Sequence, residues 1–237
     1  MYVLGEELVF PPPERAGPEG LVAIGGDVSP QRLLLAYAQG IFPWPSGDLP
    51  LLWFSPDPRF VLLPEEFHLP RSLAKRARSS ELQIRADTDF EAVIRKCADV
   101  PRPHQEGTWI TDELMGGYIE LHRLGYAHSI EAWEGNELVG GLYGVSLGGA
   151  FFGESMFALR HDASKLCFLT LVAQLTRWGF AMVDCQVYTE HLARFGARNQ
   201  NRSLFLRDLR DALRQPTLQG PWTLEVTPKD ACKCSSA

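Results

Sequence analysis

The chain lacks any apolar run near the 18 or so residues that a membrane span requires. Its start, Met1-Tyr2-Val3-Leu4-Gly5-Glu6-Glu7, carries acids where a signal peptide would be basic and then apolar. Cysteine is scarce: five in 237 residues, an odd number without regular spacing, which argues against a disulfide framework and predicts a reducing, cytoplasmic setting. No set of Cys and His has metal-site spacing, and His122 with His128 is too loosely placed to be a ligand pair, so no metal is expected. Internal repeats are absent too. A net charge of −6 argues against nucleic acid as a partner of the chain as a whole. Acid is missing, however, from residues 68 to 80, where Arg71, Lys75, Arg76 and Arg78 stand, with 71, 75 and 78 on one helical face. A second basic series, Arg194, Arg198, Arg202, Arg207, Arg210 and Arg214, is offset only by Asp208 and Asp211. Basic helix faces are usually solvated surface; two of them on an acidic chain point to phosphate bound locally.

What is present is an ordinary globular composition, 45% hydrophobic and 22% charged, in a length that suits one large domain or two small ones. Proline divides it. The stretch Phe10-Pro11-Pro12-Pro13 must be extended, and prolines at 43, 45, 50, 56, 58 and 64 prevent a long helix throughout that region. Before them, residues 21–24 read as a strand ending at Gly25-Gly26. Ser29 can cap a helix over 30–39 that has Pro30 at its first position and stops at Gly40. These features predict a small loop-rich N-terminal domain, residues 1–60, a main domain, 61–228, and a flexible tail, 229–237, rich in small residues.

The main domain reads as α/β (α+β). Strands are expected at 60–63 and 82–86, and helices at 69–80 and 89–97, the latter capped by Asp87 or Thr88. A helix capped by Thr111 should run to Leu124. An antiparallel meander follows at 128–133, 137–146 and 150–157, turning at Gly135-Asn136 and Gly148-Gly149. A long helix capped by Asp162 or Ser164 then leads to a strand at 181–187. That helix is a crossover, so the last two strands should lie side by side and parallel.

Those two strands are apolar runs interrupted by polar groups, Ala150-Phe151-Phe152-Gly153-Glu154-Ser155-Met156-Phe157 and Ala181-Met182-Val183-Asp184-Cys185-Gln186-Val187. Alternation puts Asp184 and Gln186 on one side, roughly 6.5 Å apart, and Phe152, Glu154 and Met156 together on a face of the other. The pairing brings Glu154 toward Asp184 and Gln186. Polar groups so placed are either structural, paired with an Arg or a helix end, or a reaction site cut into a sheet. Cys185 between them reads as a small buried residue.

The order meander, long helix, strand resembles the GCN5-related N-acetyltransferase fold, in which the two parallel central strands splay around the reaction. A closer resemblance rests on seven segments in series: Gly25-Gly26-Asp27 with Ser29-Pro30; Gly40-Ile41-Phe42-Pro43-Trp44; Trp53 through Ser55-Pro56-Asp57-Pro58-Arg59; Gly107-Thr108-Trp109-Ile110-Thr111; Ala127-His128-Ser129-Ile130-Glu131; Gly153-Glu154-Ser155-Met156-Phe157; and Asp184-Cys185-Gln186. Together, from about residue 20 to about 215, they resemble the leucyl/phenylalanyl-tRNA–protein transferase family. The resemblance implies a GCN5-related N-acetyltransferase-like domain behind a small N-terminal one. It implies transfer of Leu or Phe, with Met as a third donor, from aminoacyl-tRNA to the N-terminal Arg or Lys of an acceptor protein, marking it for degradation in the cytoplasm.

It also implies roles. Asp184 and Gln186 match the pair that acts on the attacking amine, and Glu154 a carboxylate of the aminoacyl site. Trp44 and Trp109 match aromatics that hold the 3′ adenosine and shape the amino-acid pocket, with Ser155 and Met156 beside them. Leu142 and Leu171 stand where Met and Phe would be expected, which bears on the balance between Leu and Phe. Trp133, Trp178 and Trp222 read as core. Arg71, Lys75, Arg76 and Arg78 suit the tRNA. The donor ester is already activated, so neither ATP nor another cofactor is needed. An uncharged amide is a poor base; Gln186 is expected to accept a hydrogen bond from the amine through its carbonyl, Asp184 fixing the amide, so that Gln186→Glu should outperform Gln186→Ala.

Three rivals compete. An acyl-CoA N-acetyltransferase would carry a glycine-rich pyrophosphate loop before the crossover helix, where this chain has Ala158-Leu159-Arg160-His161-Asp162-Ala163-Ser164-Lys165. Aminoacyl ligases of cell-wall peptides share the fold and the tRNA donor but are usually larger. A non-enzymatic tRNA-binding module would explain the basic faces and leave Glu154, Asp184 and Gln186 without a purpose.

Overall fold

The computed structural model describes residues 2–17, 19–45, 50–100 and 108–234. The first part of the chain forms a four-stranded sheet from β1 (Tyr2–Leu4), β2 (Leu21–Gly25), β3 (Phe42–Pro43) and β4 (Leu52–Phe54), in the order β1-β2-β4-β3. Helix α1 (Pro30–Ala38) connects β2 to β3. Its start is as expected: Ser29 accepts from the Arg32 main-chain nitrogen, and Pro30 occupies the first turn. Arg32, fully buried, ties the extended N-terminal segment down by donating to the carbonyls of Gly5 and Glu7. Gly40, at φ +70°, turns the chain out of the helix, and a Cβ there would meet Phe205 and Leu206.

The chain then enters a seven-stranded sheet at β5 (Arg59–Leu62). Next come α2 (Arg71–Ser79), β6 (Gln83–Ala86), α3 (Phe90–Asp99) and α4 (Asp112–Arg123). The meander β7 (Ala127–Glu134), β8 (Glu137–Leu147) and β9 (Ala150–Ala158) leads into α5 (Ala163–Arg177), β10 (Met182–Gln186) and α6 (Glu190–Ala193). β11 (Arg198–Gln200), α7 (Arg202–Ala212) and α8 (Pro228–Cys234) complete it. The order is β11-β5-β10-β9-β8-β7-β6, and among the described residues of this sheet only β9 and β10 pair in parallel, joined by the crossover α5. The hairpin turns account for the run β9-β8-β7 and the crossover helix for the parallel pair, and the fold is of the GCN5-related N-acetyltransferase type.

Two apolar cores lie on opposite faces of this sheet. One gathers Leu33 and Tyr37 of α1, Val93 of α3, Leu114 and Tyr118 of α4 and Phe205 of α7 against Val61, Tyr143, Val145 and Phe152. The other packs Leu73 of α2 and Leu166 and Leu171 of α5 against Leu62, Ile130, Leu142, Phe151 and Val183. Trp222 belongs to the second, its ring stacked on His128 at 3.8 Å.

Two expected helix caps are corrected. Asp89, not Asp87 or Thr88, caps α3 by accepting from the Ala92 nitrogen at 3.0 Å. Asp87 is saturated elsewhere, by the nitrogens of Ser129 and Trp222 and by His128 Nδ1. Asp162, at φ +64°, precedes α5 without capping it and pairs with Lys165 instead. The segment expected to be a flexible tail forms α8 as far as Cys234. Thr227 and Asp230 satisfy one another's main-chain nitrogens in a capping box, and Ala231 and Cys232 are buried against α2 and α5.

Helix α4 comes close to the start of α1 and the segment before it because Gly117 has no side chain: a Cβ there would lie 2.6 Å from the Val28 carbonyl oxygen and 3.1 Å from Leu33. Gly117→Ala is therefore expected to push α4 away and lower stability by roughly 1–3 kcal/mol, read from denaturant unfolding.

Candidate functional site

The site is made where the parallel pair comes apart. β10 pairs with β9 through Met182–Ala150, Val183–Phe151 and Asp184–Phe152, whereas β9 runs on to Ala158. Each strand carries a register break near this point. On β9, Ser155 faces Tyr143 and Gly153 faces Gly144, leaving Glu154 as an extra residue. On β10, Asp184 faces Val61 and Gln186 faces Phe60, leaving Cys185 extra. Such bulges bend a strand and re-aim its side chains. One expectation fails for this reason: Phe152 and Met156 do not share a face, since Phe152 lies in the first core and Met156 packs against the second. Glu154 sits at the changeover.

Gln186 ends β10 at φ +63°, in the left-handed region that glutamine rarely adopts. Asp184 holds it there, its Oδ1 accepting from the Gln186 main-chain nitrogen at 2.9 Å. The same carboxylate receives both Nε and Nη2 of Arg59, at 2.8 and 2.6 Å, with both side chains fully buried. Phe42 and Phe205 lie over the guanidinium at 4.7 and 4.6 Å. Asp184 thus fixes the backbone of Gln186, not its amide as expected. The amide is held by Glu154, whose Oε1 accepts from Gln186 Nε2 at 2.7 Å. Glu154 Oε1, which accepts from Tyr37, offers no hydrogen to a carbonyl, so it is the amide nitrogen of Gln186 that faces Glu154 and the carbonyl oxygen that points away from it.

Glu154 is buried, with Tyr37 and Tyr118 hydroxyls at 2.8 and 2.7 Å from Oε1 and Oε2. Burial is the main influence on its carboxyl, raising the pKa to about 7 against the opposing hydrogen bonds from Tyr118 and Tyr37; the nearby Asp184 charge raises it further. Burial also raises both phenols well above their ordinary range, so Tyr37 and Tyr118 keep their protons.

A cleft of about 320 Å³ opens beside these groups, at the small end of the range for small-molecule sites. Its lining brings together Trp44, Trp109, Leu142, Glu154, Ser155, Met156, Leu171 and Gln186, all expected from sequence. Phe42, Phe168, Val183 and His191 complete much of the wall and were not anticipated. Asp184 does not line it; with Arg59 it stands behind Gln186. Of the basic residues on α2, Arg71, Lys75 and Arg78 are exposed and Arg76 is half-buried; none lines the cleft. The second basic series is largely engaged: Arg194 with Glu190, Arg198 with Glu66, Arg207 with Asp208 and Arg214 with Asp211, while buried Arg202 donates to the Ser55 carbonyl. Gly107 lies outside the described residues.

An apolar cleft at the parting of two parallel strands, edged by an amide and a carboxyl, defines an acyltransferase of the GCN5-related type. Residues 61–210 match the family model described as leucyl/phenylalanyl-tRNA protein transferase, and residues 26–57 match the model of that enzyme's N-terminal domain. Among curated relatives, a leucyl/phenylalanyl-tRNA–protein transferase of Anaeromyxobacter sp. (strain Fw109-5) is 57% identical, covering 98% of each chain. One of Myxococcus xanthus is also 57% identical, over 94% of this chain and 96% of that one. One of Oleidesulfovibrio alaskensis is 52% identical, over 94% and 92%. The chain belongs to the leucyl/phenylalanyl-tRNA protein transferase family.

The raised carboxyl of Glu154 has a consequence for stability. Between its ordinary value of 4.5 and about 7, the unfolded chain gives up this proton before the folded one does. Stability should therefore fall as pH rises through that window and level off above it. Glu154→Gln is expected to remove this part of the slope, measured as the denaturant midpoint across pH.

Proposed function

We propose that the cleft takes the leucyl or phenylalanyl group of an aminoacyl-tRNA and presents its ester to the α-amine of an acceptor protein beginning with Arg or Lys. The product is a peptide bond and free tRNA, and the setting is the cytoplasm. The observation that carries the reading is the Gln186 amide, held by Glu154 at the edge of an apolar cleft. A free α-amine has a pKa of about 7.7–8.0, so a useful fraction is already neutral and nucleophilic near pH 7. The ester needs no activation. What remains is placement: holding the reactants in attack geometry is worth on the order of 7–11 kcal/mol, more than one general base supplies.

In this scheme Gln186 is the group that meets the amine, accepting one of its N–H bonds through the carbonyl. Phe42, Trp44, Trp109, Leu142, Met156, Phe168 and Leu171 surround the donor side chain. Ser155 borders it. The exposed Arg71, Lys75 and Arg78, with Arg76 beside them, meet tRNA phosphates. An acyl-CoA donor fits less well, because the turn before α5, where a pyrophosphate would lie, has no glycine and carries an acid, Asp162, paired with Lys165.

The deciding assay incubates the protein with leucyl-tRNA and a peptide beginning with Arg and looks for the mass increment of one leucyl residue. An unaltered peptide, with the tRNA still charged, sinks the reading. Gln186→Ala should lower the single-turnover rate by about tenfold or more. The expected advantage of Gln186→Glu disappears, because a second carboxyl would face Glu154 at the 2.7 Å now filled by an N–H bond. It should do no better than Gln186→Ala at neutral pH.

Replacing Arg71 and Lys75 together by Ala should weaken tRNA binding. The log–log salt slope of the affinity should flatten by roughly 1–2. An unchanged slope in a filter-binding titration removes the pair from the interface.

A further inference from the structure

Three oxygen-bearing groups meet behind the Gln186 amide. Tyr37 Oη lies 2.6 Å from Tyr118 Oη and 2.8 Å from Glu154 Oε1, and Tyr118 Oη lies 2.7 Å from Glu154 Oε2. All three spacings are hydrogen-bond lengths, and each such contact needs one hydrogen. A phenol supplies one, a carboxylic acid one, and a carboxylate none. With Glu154 ionised, two hydrogens must serve three contacts. Whatever the arrangement, one pair of oxygens then faces lone pair to lone pair, an unfavourable contact between groups this deeply buried. A hydrogen on Glu154 Oε2 completes the set: Oε2 donates to Tyr118, Tyr118 to Tyr37, and Tyr37 to Oε1. Oε1 still has a lone pair for the Gln186 amide at 2.7 Å.

We propose that Glu154 works as a neutral carboxylic acid, closed into a ring of three hydroxyl donors with Tyr37 and Tyr118, and that this ring is what positions the Gln186 amide for the attacking amine. Tyr37 and Tyr118 are then positioning residues, acting through Glu154. The proposal rests on the assignment of the cleft to aminoacyl transfer and adds a charge requirement to it. A carboxylate within about 4–6 Å of an amine stabilises the ammonium form, which cannot attack. A neutral Glu154 leaves the incoming amine free to stay unprotonated. The other groups facing the ring are Tyr143 of β8 and Asp184 of β10; the charge of Asp184, bound to Arg59 of β5, favours the protonated carboxyl of Glu154 as burial does. Burial independently favours the protonated carboxyl.

The test has two arms. Infrared spectra of the free protein, with Glu154→Gln as the subtraction reference, should show the carbonyl band of a protonated carboxyl persisting to near neutrality and vanishing on alkaline titration. Tyr118→Phe, which removes the partner of Oε2, should shift that band and provides a second assignment should Glu154→Gln fold poorly. Single-turnover transfer from leucyl-tRNA to an Arg peptide should lose rate on the alkaline side with the same midpoint as the infrared titration. Glu154→Gln, an amide that can fill the same ring, should lack that limb whatever its absolute rate. Tyr37→Phe should lower the rate by about tenfold with little change in tRNA affinity. A spectrum showing only carboxylate at this position below neutrality overturns the proposal, as does a Glu154→Gln rate profile that keeps the wild-type limb. Absence of transfer by the wild type would instead overturn the functional assignment, and the infrared arm would still decide the state of Glu154.

Discussion

A single ion pair sealed from water carries much of this structure. Arg59 and Asp184 come from strands 125 residues apart in the chain, meet through two hydrogen bonds, and are both fully buried. Taking two such charges out of water costs several kcal/mol each, and close paired geometry is needed to offset it. Phe42 of β3 and Phe205 of α7 pack their rings against the same guanidinium. The pair thereby ties the small sheet and the last long helix to the middle of the large sheet. It also reaches the cleft, because Asp184 is what holds the main chain of Gln186 in its unusual turn.

The second constraint is geometric. Parallel strands that stay paired offer no cavity, so the sheet must be opened without losing its cores. Two one-residue insertions near the end of the β9–β10 ladder do this, Glu154 in one strand and Cys185 in the other. Each insertion turns the following side chains, and the residues released from alternation line the cleft. The acid and the amide that face each other across the gap are thus a product of the same irregularity that makes the gap.

The order of elements was legible because it rests on local chemistry: apolar period, caps, hairpin turns and a crossover helix. The parallel pairing and the approach of Glu154 to Gln186 followed from that order. The bulges were not legible, since Phe-Phe-Gly-Glu-Ser-Met-Phe alternates equally well with or without an extra residue. Tyr37 and Tyr118 were missed because each occupies a core position on its helix, and their partner Glu154 is 117 and 36 residues away. Arg59 stood within a recognisable segment, Ser55-Pro56-Asp57-Pro58-Arg59, yet nothing local tells a buried cation from a solvated one. The helix α8 had its signal in plain view, Thr227 and Asp230 three apart, masked by the small residues that follow.

The left-handed backbone of Gln186 has a cost of its own. A side chain in that region costs on the order of 1 kcal/mol or more, and glycine would relieve it. Glycine would also remove the buried amide that Glu154 holds at 2.7 Å, so the strain and the hydrogen bond are set against each other at one residue.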